Sequence, residues 1–189
     1  MRRVVVGGAT SSGKTTFSRA LAERMGVPAI ELDALFWGAG WTKAAPEEFR
    51  ARVAAVTAGV AWVVDGNYSS TRDLVWSRAD TFIWLDPPFR ILLWRLFRRT
   101  NRRIRTREDL WNGNHETFRD AYLSTDSLYL WLVRAYGRHR RAWPVAIAEH
   151  PHLQVLRFRS GPEAAAWLAS VPQVSATNGE GSGSQERGR

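Results

Sequence analysis

Eight consecutive residues, Gly8-Ala9-Thr10-Ser11-Ser12-Gly13-Lys14-Thr15, match G-x-x-x-x-G-K-[ST] in full. Glycines at both ends let the backbone curl so that successive N–H groups point inward and surround phosphate oxygens. A helix beginning near Lys14 adds its positive end to the same anion. Gly8, Ala9, Ser11, Ser12, Gly13, Lys14, Thr15 and Thr16 are therefore the expected contacts to a nucleotide. Lys14 would reach the β- and γ-phosphates, and the Thr15 hydroxyl would ligate magnesium. The plainer account is an ordinary glycine turn, but a strand before and a helix after supply the context the motif needs. Nucleotide binding is what this spacing implies; the fate of the γ-phosphate it leaves open.

Two carboxylates extend the set. Trp62-Val63-Val64-Asp65 has the form of an apolar strand ending in an acid, as a magnesium-organising aspartate requires. Asp33 lies eighteen positions after Thr15, at the exit of another apolar run. There it could take a proton from an acceptor hydroxyl, hold magnesium through water, or simply cap a turn. Trp37, Trp41 and Tyr68 are either the apolar wall of an acceptor pocket or core.

Positive charge is concentrated in one segment. Arg90, Arg95, Arg98, Arg99, Arg102, Arg103, Arg105 and Arg107 all precede the next acid, Glu108. Three- and four-residue spacing aligns Arg95, Arg98, Arg99 and Arg102 as a stripe. Guanidiniums stabilise the charge that spreads over a moving phosphoryl group, and a lid that brings them in also excludes water. Arg95 and Arg99 are the candidates for this catalytic role; a solvated basic face or a nucleic-acid contact is the competing account. His115, His139, His150 and His152 show no zinc-like grouping and are expected at the surface or at helix ends.

These groups need elements to hold them. Arg3 to Val6 reads as a buried strand entering a turn, and Lys14 to Met25 as an amphipathic helix closed by Gly26. Ala29 to Leu32, Trp62 to Asp65, Thr81 to Leu85 and Leu153 to Phe158 are the other strands. Helices are expected from Pro46 through Thr57, Ser70 to Arg78, Phe89 to about Arg103, and Pro162 to Ser170. Asn101 to Glu116 reads as a mobile excursion, and Thr117 to His150 as two helices meeting near Ser124 to Ser127. Beyond Pro172 the chain is too poor in apolar residues to pack. Alternating strands and helices imply a mostly parallel sheet covered on both faces, with ligands at the strands' carboxyl ends. The phosphate loop, Asp33, Asp65, Asp86, Arg157 and Arg159 all fall on that edge.

Composition sets outer bounds. The chain of 189 residues suits one domain, residues 1–172, with a lid near 100–116 and a disordered tail over 173–189. No cysteine is present, so disulfides and thiolate chemistry are excluded, and the apolar runs are far short of a membrane span. A cytoplasmic protein without membrane contact is expected, as a monomer or homodimer. The net charge of +9, almost wholly arginine, suits phosphate-rich partners. The ten tryptophans are scattered through apolar segments, which suits core packing better than base stacking.

With these residues assembled, the chain resembles the adenylate-kinase and shikimate-kinase group of small P-loop kinases. Within it, the chain looks closest to a bacterial branch labelled adenylate-kinase-like or DNA topology modulation protein. Gly8 to Thr15, Glu31-Leu32-Asp33-Ala34-Leu35-Phe36-Trp37, Asp65-Gly66-Asn67-Tyr68-Ser69 and the arginine segment after Asp86-Pro87 carry the resemblance, across roughly residues 1–170. It implies a P-loop NTPase fold, a three-layer α/β/α sandwich on a five-stranded parallel sheet, with an arginine-rich lid after the fourth strand. It implies ATP as donor with magnesium, Asp65 near the metal, and Arg157 or Arg159, in the loop after strand five, beside the adenine. One departure stands out: adenylate kinases carry Asp-Gly-Phe-Pro-Arg after the third strand, and here Ser69 replaces the arginine, with Arg72 one helical turn later. The expected activity is transfer of the γ-phosphoryl of ATP to a small acceptor, whether a nucleotide, a nucleoside or a small hydroxyl compound. A nucleic-acid-associated ATPase or regulator is the alternative.

Overall fold

The computed structural model describes residues 1–66, 68–107, 109–114, 117–118, 121 and 127–174. The expected lid end at Glu116, the helix junction near Ser124, His115, Asn67 and the tail from residue 175 fall outside these.

Five runs rich in β-branched and aromatic residues form the strands: β1 (Arg3–Gly8), β2 (Ala29–Glu31), β3 (Trp62–Asp65), β4 (Thr81–Leu85) and β5 (Gln154–Phe158). They pair in the order β2-β3-β1-β4-β5, every pair parallel. Parallel strands covered on both faces are apolar at successive positions, which is why Val4, Val5 and Val6 are all buried in the central strand. Full burial of such a side chain contributes roughly 1.5–3 kcal/mol.

Alternation along the strands divides the core into two layers. Val4, Val6, Val63, Ile83 and Leu85 face α1 (Lys14–Met25) and α7 (Gly161–Ser170), against Phe17, Leu21 and Ala164. Val5, Val64, Phe82 and Trp84 face α3 (Pro46–Val56), α4 (Arg72–Arg78) and α6 (Leu128–Ala148), against Phe49, Val53, Val75, Trp76 and Trp143. The sandwich is thus the one expected, and Trp62, Trp76, Trp84 and Trp143 serve as core. Among the described residues no helix is long and apolar enough to cross a membrane.

Four local expectations need correction. The second strand stops at Glu31, and Leu32–Phe36 form a short helix, α2, so Asp33 lies in a first helical turn and not at a strand exit. Five residues are too few to show helical periodicity. The arginine helix α5 runs from Phe89 to Thr106, ending in a left-handed Arg107, so the segment after Asn101 begins as helix. The 3₁₀ turn Trp111–Gly113 is not a free excursion either, because Asn114 accepts from the Trp41 N–H at 2.9 Å and donates to the Gly38 carbonyl at 3.0 Å. Finally, order continues past Pro172, since the Val174 N–H donates to the Arg24 carbonyl at 2.8 Å.

At the end of β4, Asp86 is 4% exposed and accepts from Arg140 of α6 at 2.9 Å and from the Arg157 Nε of β5 at 3.0 Å. Its backbone N–H donates to the Phe158 carbonyl at 2.8 Å. Arg157 lies over Trp84 at 4.0 Å and Arg140 over Tyr136 at 4.3 Å. One carboxylate therefore fixes the edge strand and the long helix to the sheet. Replacing Asp86 with alanine strands two guanidiniums, and we expect it to cost about 2 kcal/mol in urea unfolding with an unchanged m-value.

Candidate active site

Between β1 and α1 the phosphate loop has the conformation its glycines require. A Cβ on Gly8 would stand 2.7 Å from the Leu85 carbonyl oxygen and 2.4 Å from the Ser12 hydroxyl. Gly13, with φ of 96°, occupies the left-handed region just before α1, where a side chain is disfavoured. The Lys14 ammonium arches back over the loop and donates to the Ala9 carbonyl at 3.1 Å. No side chain caps the start of α1, and the buried Ser11 and Ser12 hydroxyls have no hydrogen-bond partner. Donors are therefore left facing the loop, as an anion cradle requires.

Thr15 and Asp65 meet across this loop. The Thr15 hydroxyl donates to Asp65 Oδ2 at 2.5 Å, while Oδ1, also buried, has no partner. Burial pushes the Asp65 carboxyl up to about 6, and the neighbouring charge of Lys14 and the Thr15 bond oppose that rise. Asp33 and Glu31 add to it by like-charge repulsion. An acid oxygen that is buried and unpaired beside a threonine hydroxyl is the donor set of a hard divalent cation. Among the described residues no group of three or more His, Asp or Glu can hold a metal alone. A metal here therefore needs further oxygens, as magnesium takes from substrate phosphates.

Asp33 accepts from the Tyr68 hydroxyl at 2.6 Å, which fixes one carboxylate oxygen and leaves the other for a further partner. Burial and the Asp33 charge together push the Tyr68 hydroxyl well above its ordinary value, so it remains a donor. Trp37 and Trp41 pack edge-to-face at 5.6 Å after α2, and of these three aromatic residues only Tyr68 lines the small cavity between α4, α6 and the sheet. That small cavity is bounded by Leu32, Tyr68, Arg72, Val75, Trp76 and Trp143.

Within the arginine stripe, Arg95 and Arg99 turn toward the loop. Arg95 donates to the Ser12 carbonyl at 3.3 Å, and Arg99 reaches the Thr10 hydroxyl at 3.4 Å. These two, one helical turn apart, are the pair expected to act. Arg98 instead lies 6.0 Å from the Trp94 ring on the outer side of α5. Arg157 lies within β5, not in the loop after it, and is engaged by Asp86. Arg159 follows the strand, and its backbone N–H donates to Glu163 at 2.8 Å. Gly161 brings the β5–α7 connection against Arg95, whose Nη2 would be 3.1 Å from an added Cβ.

One expectation about histidine fails. His139 is not a surface residue; it stacks on Trp143 with ring centroids 4.5 Å apart, and its Nδ1 is buried without a partner. Burial, then the charges of Arg138, Lys14 and Arg72, hold its imidazole down at about 4. Helical spacing on α6 (139, 143, 146) could have flagged this inward face, but nothing in the sequence says what α6 packs against. His150 and His152 do sit at the helix end, bonded to the Ala146 carbonyl at 2.8 Å and the Trp76 carbonyl at 3.0 Å.

No family model matches the chain, and no curated protein does. Solved structures do. A shikimate kinase from Acinetobacter baumannii in complex with shikimate superposes with a TM-score of 0.54 at 17% identity, over 89% of each chain. A gluconokinase from Sinorhizobium meliloti 1021 gives 0.51 at 21% identity, over 89% of this chain and 91% of that one. A shikimate kinase from Bacteroides thetaiotaomicron gives 0.51 at 18%, over 89% and 94%. At such identities the likeness shows the fold, the five-stranded P-loop sandwich.

Asp65 carries a measurable cost of its position. Its carboxyl titrates at about 6 in the fold and near 3.8 in an unfolded chain, so between those values the folded protein holds a proton the unfolded chain has lost. This group therefore stabilises the fold as pH falls through 6, and penalises it above. Without nucleotide, Asp65→Asn should be more stable than the wild type by on the order of 3 kcal/mol above pH 7, with the advantage fading toward pH 4. Urea unfolding at three pH values checks this; a difference that does not vary with pH would contradict it.

Proposed function

We propose that this chain is a phosphotransferase that moves the γ-phosphoryl group of ATP, bound with magnesium, to the hydroxyl of a small acceptor. The observation that carries this reading is the buried, unpaired Asp65 oxygen beside Thr15 at the mouth of a complete phosphate loop. The fold shared with two shikimate kinases and a gluconokinase supports the same class of reaction.

Loop N–H groups and Lys14 bind and orient the triphosphate, and Thr15 and Asp65 would hold magnesium. Bound there, the metal would neutralise charge on the β- and γ-oxygens. The acceptor oxygen forms its bond to the γ-phosphorus as the bond to the bridging oxygen breaks, leaving ADP. The hydroxyl proton passes to the Asp33 oxygen that Tyr68 does not occupy, and from there to water. Arg95 and Arg99 turn from their loop contacts to the transferring group, where permanent charge offsets what develops in transit.

Phosphorus NMR of Mg-ATP with a panel of acceptors tests the reading. A new phosphomonoester or diphosphate signal, lost in Lys14→Ala, is the expected result; release of ADP and phosphate that no acceptor changes would favour the nucleic-acid-associated ATPase instead. Arg95→Ala and Arg99→Ala should each lower kcat about 10²-fold or more, with smaller effects on the KM for ATP, in a coupled ADP-release assay.

A further inference from the structure

Trp41 and Asn112 both hold φ at 57°, in the left-handed region that side chains rarely adopt. For a residue as bulky as tryptophan this backbone costs free energy, and it persists only where neighbours fix it. Those neighbours come from one turn. The Asn114 side chain, 5% exposed, accepts from the Trp41 N–H at 2.9 Å and donates to the Gly38 carbonyl at 3.0 Å. Asn112 donates to the Trp37 carbonyl at 2.5 Å. The turn is closed by the Leu110 N–H, which donates to the Asn114 carbonyl at 2.8 Å. The clasped backbone lies 73 to 76 positions earlier in the chain, so no local turn chemistry requires the contact.

What the two asparagines hold is one end of the short helix that bears Asp33. The Trp37 N–H closes α2 on the Asp33 carbonyl at 3.0 Å, and the Ala44 N–H donates to the Phe36 carbonyl at 2.9 Å. The Phe36 ring packs against Trp37 at 4.9 Å, Tyr68 at 4.7 Å and Phe49 at 5.1 Å. Tyr68 in turn donates to Asp33 at 2.6 Å. Trp37 also acts on that hydroxyl, opposing the rise that burial and the Asp33 charge impose on it. Every step from Asn112 to the Asp33 carboxylate is therefore a bond or a ring contact. A surface loop with no task tolerates slack, whereas strain gathers where a reacting group must be held in one place.

Resting on the phosphotransferase reading, we propose that Asn112 and Asn114 are positioning residues that hold the Tyr68–Asp33 pair in the geometry proton acceptance needs. They touch no reacting atom. They act through the Trp37 backbone and the Phe36 ring, which set where α2 ends and so where Asp33 stands. The Asp33 oxygen that Tyr68 does not occupy is the atom whose place they fix. A misplacement of about 1 Å at a reacting group can cost on the order of 10²-fold in rate.

Fluorine NMR of the full chain labelled with 3-fluorotyrosine tests this without turnover. The chain has four tyrosines, so four signals are expected, and Tyr68→Phe assigns one. Asp33→Asn marks where that signal moves when the carboxylate is lost. Asn112→Gly removes the clasping amide but keeps a residue suited to the left-handed turn. Asn114→Ala removes the second anchor, and melting temperatures show whether each variant folds. We expect both variants to shift the Tyr68 signal toward its place in Asp33→Asn, with the other three signals unmoved. With an acceptor from the phosphorus NMR panel, both should lower kcat tenfold or more and leave the KM for ATP within twofold. An unmoved Tyr68 signal in Asn112→Gly, four signals moving together, or an unchanged kcat would each overturn the proposal. No transfer to any acceptor by the wild type would sink the phosphotransferase reading instead, and the fluorine signals would still decide the clasp.

Discussion

The Thr15 hydroxyl and the Asp65 carboxylate join the first helix to the third strand at the carboxyl edge of the sheet. Asp65 is inside the protein, yet one of its oxygens is bonded to nothing. Burying a charge with incomplete partners is among the costliest arrangements a fold can carry. The surroundings reduce that cost without removing it: Lys14 stands near, while Asp33 and Glu31 push the other way. Much of the architecture follows from tolerating this group. The strand that carries it is buried at all four positions and braced by β1 and β2, and the loop opposite is held tight by glycines.

What the sequence made legible is what lies close along the chain. The phosphate loop is eight consecutive residues whose glycines, lysine and threonine have fixed jobs, so its conformation was readable without knowing the fold. Asp65 was readable because a strand's end is a topological place, and parallel sheets put their chemistry there. The pairing of Arg95 and Arg99 with the loop was only half readable. Spacing put four arginines on one stripe, but the helix's rotation against the loop decides between Arg95 and Arg98, and that rotation is set by Leu92, Leu96 and Thr100 meeting the core.

The cavity beside Tyr68 was least legible, for a physical reason. Tyr68, Arg72, Trp76 and Trp143 converge from three parts of the chain, and their meeting depends on how α4 and α6 lie on the sheet. His139 looked like a helix-surface residue because its neighbours Arg138, Arg140 and Arg141 are charged. Arg157, a basic residue at the carboxyl edge of the sheet, has a counter-charge in Asp86 that the sequence did not reveal. Charge near a site is weak testimony until its counter-charge is located.

The contact between Asn114 and the backbone of Gly38 and Trp41 links two regions usually treated apart. One follows the arginine helix whose Arg95 and Arg99 reach the phosphate loop; the other follows the short helix bearing Asp33. Because a single side chain bonds both ends of the Gly38–Trp41 loop, the arginine segment cannot swing outward at that point without breaking those bonds or dragging the loop along. On the phosphotransferase reading proposed above, entry of donor and entry of acceptor would be geared together, which favours assembling both reactants before sealing over either and keeps water from standing in for the missing one.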